Sequence, residues 1–310
     1  MPILREQDLL QIEQTLYSPK ERELKARTIF RVNTNFNRFA REIGYDYYSR
    51  TGSAKVFAYG ASAKDIPFVN EDGNRVTKKV FDIVTGVRYT RSEIEAAQAK
   101  STLGVGPSIP LDMLRVETAK RVVAETENKL VFVGDSSLGI SGILNHTGIT
   151  AEDVAQGATG ADAAAKRLWT NKTPQEILKD LRAARTKARA EGIFNPDTLV
   201  LPPAQFDLLD QPYSDMSTMT IRNWLNTQGV NFPKVIEAKE LLKTYNGFTS
   251  VDCFLVIDST PEVVEIAVTR ELELLRPIYD ILENSEQAII ESCAGIILRH
   301  PSAVYVGKGI

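Results

Sequence analysis

Residues 125–149 read ETENKLVFVGDSSLGISGILNHTGI. Immediately upstream, Leu111, Leu114, Ala119, Val122, Val123, Thr126 and Leu130 recur at the spacing of one helix face. Pro110 stands near the start of that run, where proline is well tolerated. The spacing predicts a helix from Leu111 to about Phe132, roughly 30 Å long at ~1.5 Å per residue. Within the quoted stretch the periodicity stops. Gly134, Gly139, Gly142 and Gly148 then punctuate the chain, so residues 133–149 are expected to be irregular and turn-rich.

Residues 1–50 form a mixed arm, with a short helix expected between Asp8 and Tyr17. Its aromatic residues Phe36, Phe39, Tyr45, Tyr47 and Tyr48 are dense for a segment of weak periodicity. They suit packing on the chain's own core or on a neighbouring subunit. Residues 51–90 read as extended. Ala54–Gly60 is strand-like, Asp72-Gly73 suits a tight reversal, and Val76–Tyr89 is rich in β-branched residues. Together they predict a long hairpin that buries little within its own subunit and leaves strand edges in need of cover.

Beyond it, a short helix is expected over Arg91–Lys100, then a glycine-bearing break to Ser108. Residues 150–171 are small and polar, a surface excursion ending at Trp169. Thr173-Pro174-Gln175-Glu176 opens a second helix with a capping threonine, a proline in the first turn and a glutamate three positions after the cap. That helix runs to about Ala190, with Ile177, Leu178, Leu181 and Ala184 on its apolar side. Strands are expected at 199–201, 235–238, 253–257, 263–268, 287–298 and 302–306, with short helices at 204–209 and 220–225. The order is mixed α+β, without regular βαβ units.

The bulk numbers exclude several classes. Apolar residues make up 43% and charged residues 25%, as in a globular chain. The 37 basic and 40 acidic groups nearly cancel, which gives no general pull toward nucleic acid. No apolar run approaches the roughly 20 residues of a membrane span, and the N-terminus lacks a signal pattern. Cys253 and Cys293 sit in apolar surroundings and are read as buried thiols.

Catalytic patterns fail one by one. His146 and His300 are the only histidines, too few for a three-histidine metal site. The glycine-rich stretch 134–148 has no Gly-Lys-Ser/Thr ending and comes after a helix, so it is no phosphate loop. Gly139-Ile140-Ser141-Gly142 lacks the spacing of a nucleophile elbow. The pairs Glu125/Glu127 and Glu271/Glu273 read as solvated charges. The cluster Arg182, Arg185, Lys187 and Arg189 reads as a solvated helix face, with a DNA contact as the alternative. No catalytic, cofactor-binding or metal-ligating residue is assigned, and no cofactor is expected.

The long helix and its exit, Gly139-Ile140-Ser141-Gly142-Ile143-Leu144-Asn145, resemble the spine helix and Gly-x-x-Gly-Leu-Leu-Asn loop of the major capsid proteins of tailed bacteriophages, with Ile143 in place of the first leucine. Asn195–Phe206, with Leu199-Val200-Leu201-Pro202-Pro203 at its centre, and Glu271–Pro277 are similar to that family's entry into and return from the axial domain.

The resemblance covers most of residues 40–305 and implies the HK97-type fold. It divides the chain into an N-terminal arm (1–50), an extended hairpin loop (51–90), a peripheral domain with the spine helix (91–194), an axial domain (195–275) and a return to the peripheral domain (276–310). It further implies a structural, non-enzymatic shell subunit. Pentamers and hexamers would close an icosahedral head around double-stranded DNA, in a virion assembled in the host cytoplasm, with separate scaffolding, portal or decoration proteins as possible partners and no membrane.

The highly charged helical scaffolding segment of many relatives has no counterpart in this sequence, so the resemblance implies either an already mature chain or separate scaffolding, and the Met-Pro start favours an unprocessed N-terminus. Lys55, Lys64, Lys78 and Lys79 lie in or near the hairpin, but no crosslink is assigned to them. The alternative is an encapsulin-type nanocompartment around an enzyme cargo. More distant is a soluble enzyme, which would need a concave pocket with shifted titrating groups.

Overall fold

The long helix forms over Leu111–Phe132, as its periodicity predicts. The computed structural model describes residues 23–57, 66–103, 111–214, 218–227, 232–247 and 251–310. The helix expected over Asp8–Tyr17 lies outside them. In chain order come α1 (Ala26–Ile29), β1 (Val32–Asn33), β2 (Glu42–Thr51), β3 (Asn70–Lys79), β4 (Phe81–Tyr89), α2 (Arg91–Leu103) and the long helix α3 (Leu111–Phe132). Next are β5 (Gly134–Asp135), β6 (Ile140–Ser141), β7 (Thr150–Asp153), α4 (Pro174–Ala188), β8 (Thr198–Leu201), α5 (Pro203–Leu208), α6 (Ile221–Thr227), β9 (Lys234–Glu237) and β10 (Cys253–Ile257). The last are β11 (Val264–Leu274), β12 (Ile278–Tyr279), β13 (Ser285–Leu298) and β14 (Val304–Lys308).

Two five-stranded sheets carry the body. In the first, β13 is central, with β11 on one side and β4 on the other, and β1 runs parallel to β11. In the second the order is β7-β14-β10-β8-β9. The alternation of side chains along a strand gives this sheet two apolar faces. Val200, Cys253, Leu255, Ile257, Val304 and Val306 face a core shared with α3 and the first sheet. Leu199, Leu201, Phe254, Val256 and Tyr305 face a second core under α4 and α6. β8 and β10 are buried along their whole length, which is why they read as continuous apolar runs.

The end of α3 is buried, Val131 and Phe132 being 0% exposed. Its last carbonyls therefore need partners other than water, and the glycine-rich loop supplies them. The Ile143 and Leu144 N–H groups donate to the Val131 and Phe132 carbonyls at 2.8 and 3.0 Å. Asn145 Nδ2 donates to the Val133 carbonyl at 2.7 Å, while its Oδ1 accepts from the Gly142 N–H at 2.8 Å. The loop doubles back so closely that a Cβ on Gly142 would lie 2.4 Å from the Phe132 carbonyl oxygen. The residues that make the motif recognisable are thus those that close the helix.

The α4 start is a capping box, with Thr173 and Glu176 each bonding the other's backbone N–H. At the other end of the body, the first described segment straps α3 to the first sheet. Ala26 N–H donates to Asn128 Oδ1 at 2.9 Å, and Phe30 packs on Phe132. Arg27 bonds Glu127 at 2.8 Å and Glu291 at 2.5 Å, both carboxylates being buried. Glu127, expected from its spacing to be a solvated charge, is instead an internal partner, because the strap folds over it. Burial, then the neighbouring charge of Glu127, pushes the Glu291 carboxyl up to about 7 against the pull of Arg27.

The reversal expected at Asp72-Gly73 does not occur there. Both residues lie inside β3, which pairs with β2 over ten consecutive positions, Glu42↔Lys79 to Thr51↔Asn70. Gly73 faces Tyr48, and a Cβ there would lie 3.3 Å from the Tyr48 ring. The glycine thus admits a cross-strand aromatic instead of making a turn. Glu42–Tyr48, expected in the arm, is the outgoing strand of the hairpin. Residues 52–57 form no strand, and 58–60 lie outside the described residues.

Gly142→Ala is expected to destabilise the fold by about 2–3 kcal/mol, since the Phe132–Val133 backbone leaves no room for a methyl; denaturant unfolding of the variant checks this, and an unchanged midpoint refutes it. Glu291 also sets a pH dependence. Its folded pKa is raised, so folding takes up a proton between about pH 4.5 and 7. Its contribution to stability is highest below that window and falls as pH rises through it, by on the order of 1 kcal/mol per pH unit. Glu291→Gln should remove this slope, and parallel stability–pH curves for the two proteins would show the assignment to be wrong.

Candidate assembly surfaces

The β2–β3 ribbon pairs with no other strand of the described residues. Ten residues per strand at ~3.3 Å each make it roughly 33 Å long. Ile43 is its only buried residue. That side chain packs with Ala267, Ala294 and Ile297 at the ribbon's root. Lys78 Nζ donates to the Ile296 carbonyl at 2.6 Å, and burial lowers its pKa. Tyr45 donates to the Leu298 carbonyl at 3.3 Å, with the Arg299 guanidinium over its ring. Burial raises the Tyr45 pKa, with Arg299 opposing.

Above this root, among the described residues, the ribbon is held by its own ladder and by exposed pairs such as Arg75–Asp46, which contribute little in water. Yet it carries apolar groups into solvent. Tyr48 is 74% exposed, and in the connecting segment Val56, Phe68 and Val69 are 96%, 85% and 66% exposed. A second exposed apolar group, Ile278, Tyr279, Ile281 and Leu282, caps the β11–β13 hairpin. On α3, Leu114 and Val122 are part-exposed along a groove of about 350 Å³ that β4 lines from Thr85 to Arg88, and Val84 of β4 is also exposed. Large apolar side chains grouped at projecting tips mark contact surfaces.

The residues weighed for chemistry do not converge. His146 Nδ1 contacts the Thr147 carbonyl, and His300 lies against Phe194. Glu273 pairs with Arg38 and Glu125 with Arg121. Among the described residues no group of three or more His, Cys, Asp or Glu is placed to hold a metal. Burial pushes the Cys253 and Cys293 thiols up to about 12 and about 11, so both are unreactive core groups. Of the hairpin lysines, Lys55 lies over Phe57, Lys78 is at the root, and Lys64 is outside the described residues.

Arg185 and Lys187 of the basic cluster lie over the Phe232 and Tyr305 rings, and Arg182 over Trp224. Arg27 and Glu291, which organise the strap, escaped sequence reasoning. They are 264 positions apart, and no local pattern joins them.

Known proteins share this fold. A capsid of a Myoviridae phage, XM1, superposes with a TM-score of 0.79 at 13% identity, over 99% of both chains. The capsid of an empty GTA particle gives 0.61 at 13% identity, over 96% of this chain and 94% of that one. A virus-like particle from Pyrococcus furiosus gives 0.53 at 15% identity, over 90% of each. The fold is thus the α+β HK97-type fold. The type 1 encapsulin shell protein EncA of Myxococcus xanthus is 22% identical over 218 residues, 70% of this chain and 68% of that protein. The family model described as "Major capsid protein" matches residues 52–310. With most of its length matched by that model, and with a projecting ribbon that finds no core of its own, the chain belongs to the major capsid protein family.

Proposed function

We propose that this protein is the structural subunit of a tailed-phage head. It would form pentamers and hexamers that close an icosahedral shell around double-stranded DNA, without catalytic activity, in a virion assembled in the host cytoplasm. Separate scaffolding, portal or decoration proteins would complete the particle. The observation that carries this is the β2–β3 ribbon, solvent-exposed above its root and tipped with apolar groups. An isolated two-stranded hairpin is at best marginally stable in water, and a neighbouring subunit would supply the missing burial.

The division into arm, extended loop, peripheral and axial parts belongs to the same proposal, with the loop's strands taken as Glu42–Thr51 and Asn70–Lys79. The axial part would centre on β8, β9 and β10. Contacts of this kind are individually modest and become stable when multiplied over a closed shell. The same patches must recur on every subunit and close into rings.

A second reading, a nanocompartment shell around an enzyme cargo, draws on the likeness to the encapsulin shell protein of Myxococcus xanthus. The family model described as "Major capsid protein" over residues 52–310 favours the head.

Tyr45 and Val76 face each other in the ribbon, so residues 46–75 can be replaced by a two-residue Asn-Gly turn. The shortened protein is expected to stay folded and fail to assemble, as read by circular dichroism and negative-stain electron microscopy beside the unaltered chain. Discrete particles of the original size from the shortened protein would refute the role of the ribbon. Particles of the unaltered chain that enclose protein instead of nucleic acid would favour the nanocompartment.

A further inference from the structure

We propose that the outer face of α4 is the surface on which the shell holds double-stranded nucleic acid. This rests on the phage-head reading, and adds to it the place and the chemistry of the contact. Over Pro174–Arg189 the chain has five cations, Lys179, Arg182, Arg185, Lys187 and Arg189, against two carboxylates, Glu176 and Asp180. That is a local surplus of three positive charges in a chain whose net charge is −3.

Neither carboxylate is free to offset them. Glu176 closes the capping box and accepts from the Ala158 N–H at 2.9 Å. Asp180 is buried, where Lys172 bonds it at 2.5 Å and the Trp169 indole at 3.2 Å. Nearby Glu152 pairs with Lys187.

The apolar side of α4, Ile177, Leu178, Leu181, Ala184 and Ala188, is fully committed to the second core. Its opposite side must therefore face outward. Lys179, Arg182, Thr186 and Arg189 succeed one another at helical spacing along that side and are exposed. Among the described residues no carboxylate pairs with Lys179, Arg182 or Arg189. The helix dipole accounts for cations in the last turn. It does not account for Lys179 and Arg182, which lie earlier.

The line from Lys179 to Arg189 is about 15 Å long. A duplex carries one negative charge per ~1.7 Å of axis, so such a line faces on the order of nine phosphate charges. Arg182 is held in place by its guanidinium lying 4.5 Å over the Trp224 ring, and Trp224 is in turn stacked on Tyr213 at 5.7 Å. A stacked guanidinium keeps its in-plane N–H donors for phosphate. With Arg182 on Trp224 and Tyr213 stacked against it, the indole offers no platform for an unpaired base, which single strands require. The face fits a duplex backbone read without sequence preference.

The test compares the full chain with a Lys179→Gln/Arg182→Gln/Arg189→Gln variant, using a mixed-sequence DNA duplex and fluorescence anisotropy across a salt series. Losing three phosphate contacts should weaken binding at least tenfold at low salt and reduce the slope of log K against log salt by about 2.7. A Lys179→Arg/Arg182→Lys/Arg189→Lys variant keeps the charge count and should keep the salt slope of the original. Should the triple variant fail to fold, Lys179→Gln alone should reduce the slope by about 0.9. An unchanged slope overturns the proposal. So does a triple variant that loses assembly but keeps its slope, since α4 would then be a subunit contact. Electron microscopy of the unaltered chain separates the two levels, because failure to build a shell counts against the phage-head reading while leaving the duplex slope to decide this one.

Discussion

The buried C-terminal end of α3 is the constraint on which the rest of the fold depends. A helix that ends in solvent leaves its last carbonyls to water. Here Val131 and Phe132 are inside the core between the two sheets, and unsatisfied carbonyls there would each cost on the order of 1–3 kcal/mol. The chain meets this by turning back on itself at Gly142, so that Ile143, Leu144 and Asn145 reach the carbonyls of Val131, Phe132 and Val133. The same turn places Ile143 and Leu144 in the core beneath the first sheet. It also directs the chain toward β7 and the second sheet.

A different balance governs the periphery. The body satisfies itself, with apolar strands buried on both faces and the strap of Arg27 and Phe30 fastening α3 to β13 and β11. The strap is not free of tension, because two buried carboxylates share one guanidinium and burial opposes the charge of Glu291. The ribbon is the opposite case. Its root is anchored by Ile43, Tyr45 and Lys78, while its length lies outside any core. Among the described residues, exposed apolar groups gather at two hairpin tips and along α3 beside β4, an arrangement suited to contact with other subunits. Membership of the major capsid protein family places that organisation in a shell.

The elements legible in the sequence were those governed by short-range rules. Helical spacing located α3, the threonine–glutamate pair located the start of α4, and continuous apolar runs located β8 and β10. The glycine-rich exit of α3 was legible as a break and as a family feature. What the sequence could not show is that Asn145 is the group that closes the helix. The Asp72-Gly73 turn misled for a physical reason. A dipeptide preference is worth little beside ten consecutive cross-strand pairs, and Gly73 serves the ring of Tyr48 instead.

The sequence alone was enough for the long helix, the start of α4, the apolar strands, the mixed α+β class and the expected burial of both cysteines, and its loop after α3 for the family resemblance. The helices and strands follow from residues a few positions apart, and the cysteines' burial was readable from the apolar run around each. Only the tertiary structure decided which strands share a sheet, that Glu127 is internal, that Arg27 is its partner, and that the cations of α4 line up outward with their nearest carboxylates already engaged. Each of those depends on segments distant in the chain meeting in space, where burial and pairing, not local preference, set the state of a charge.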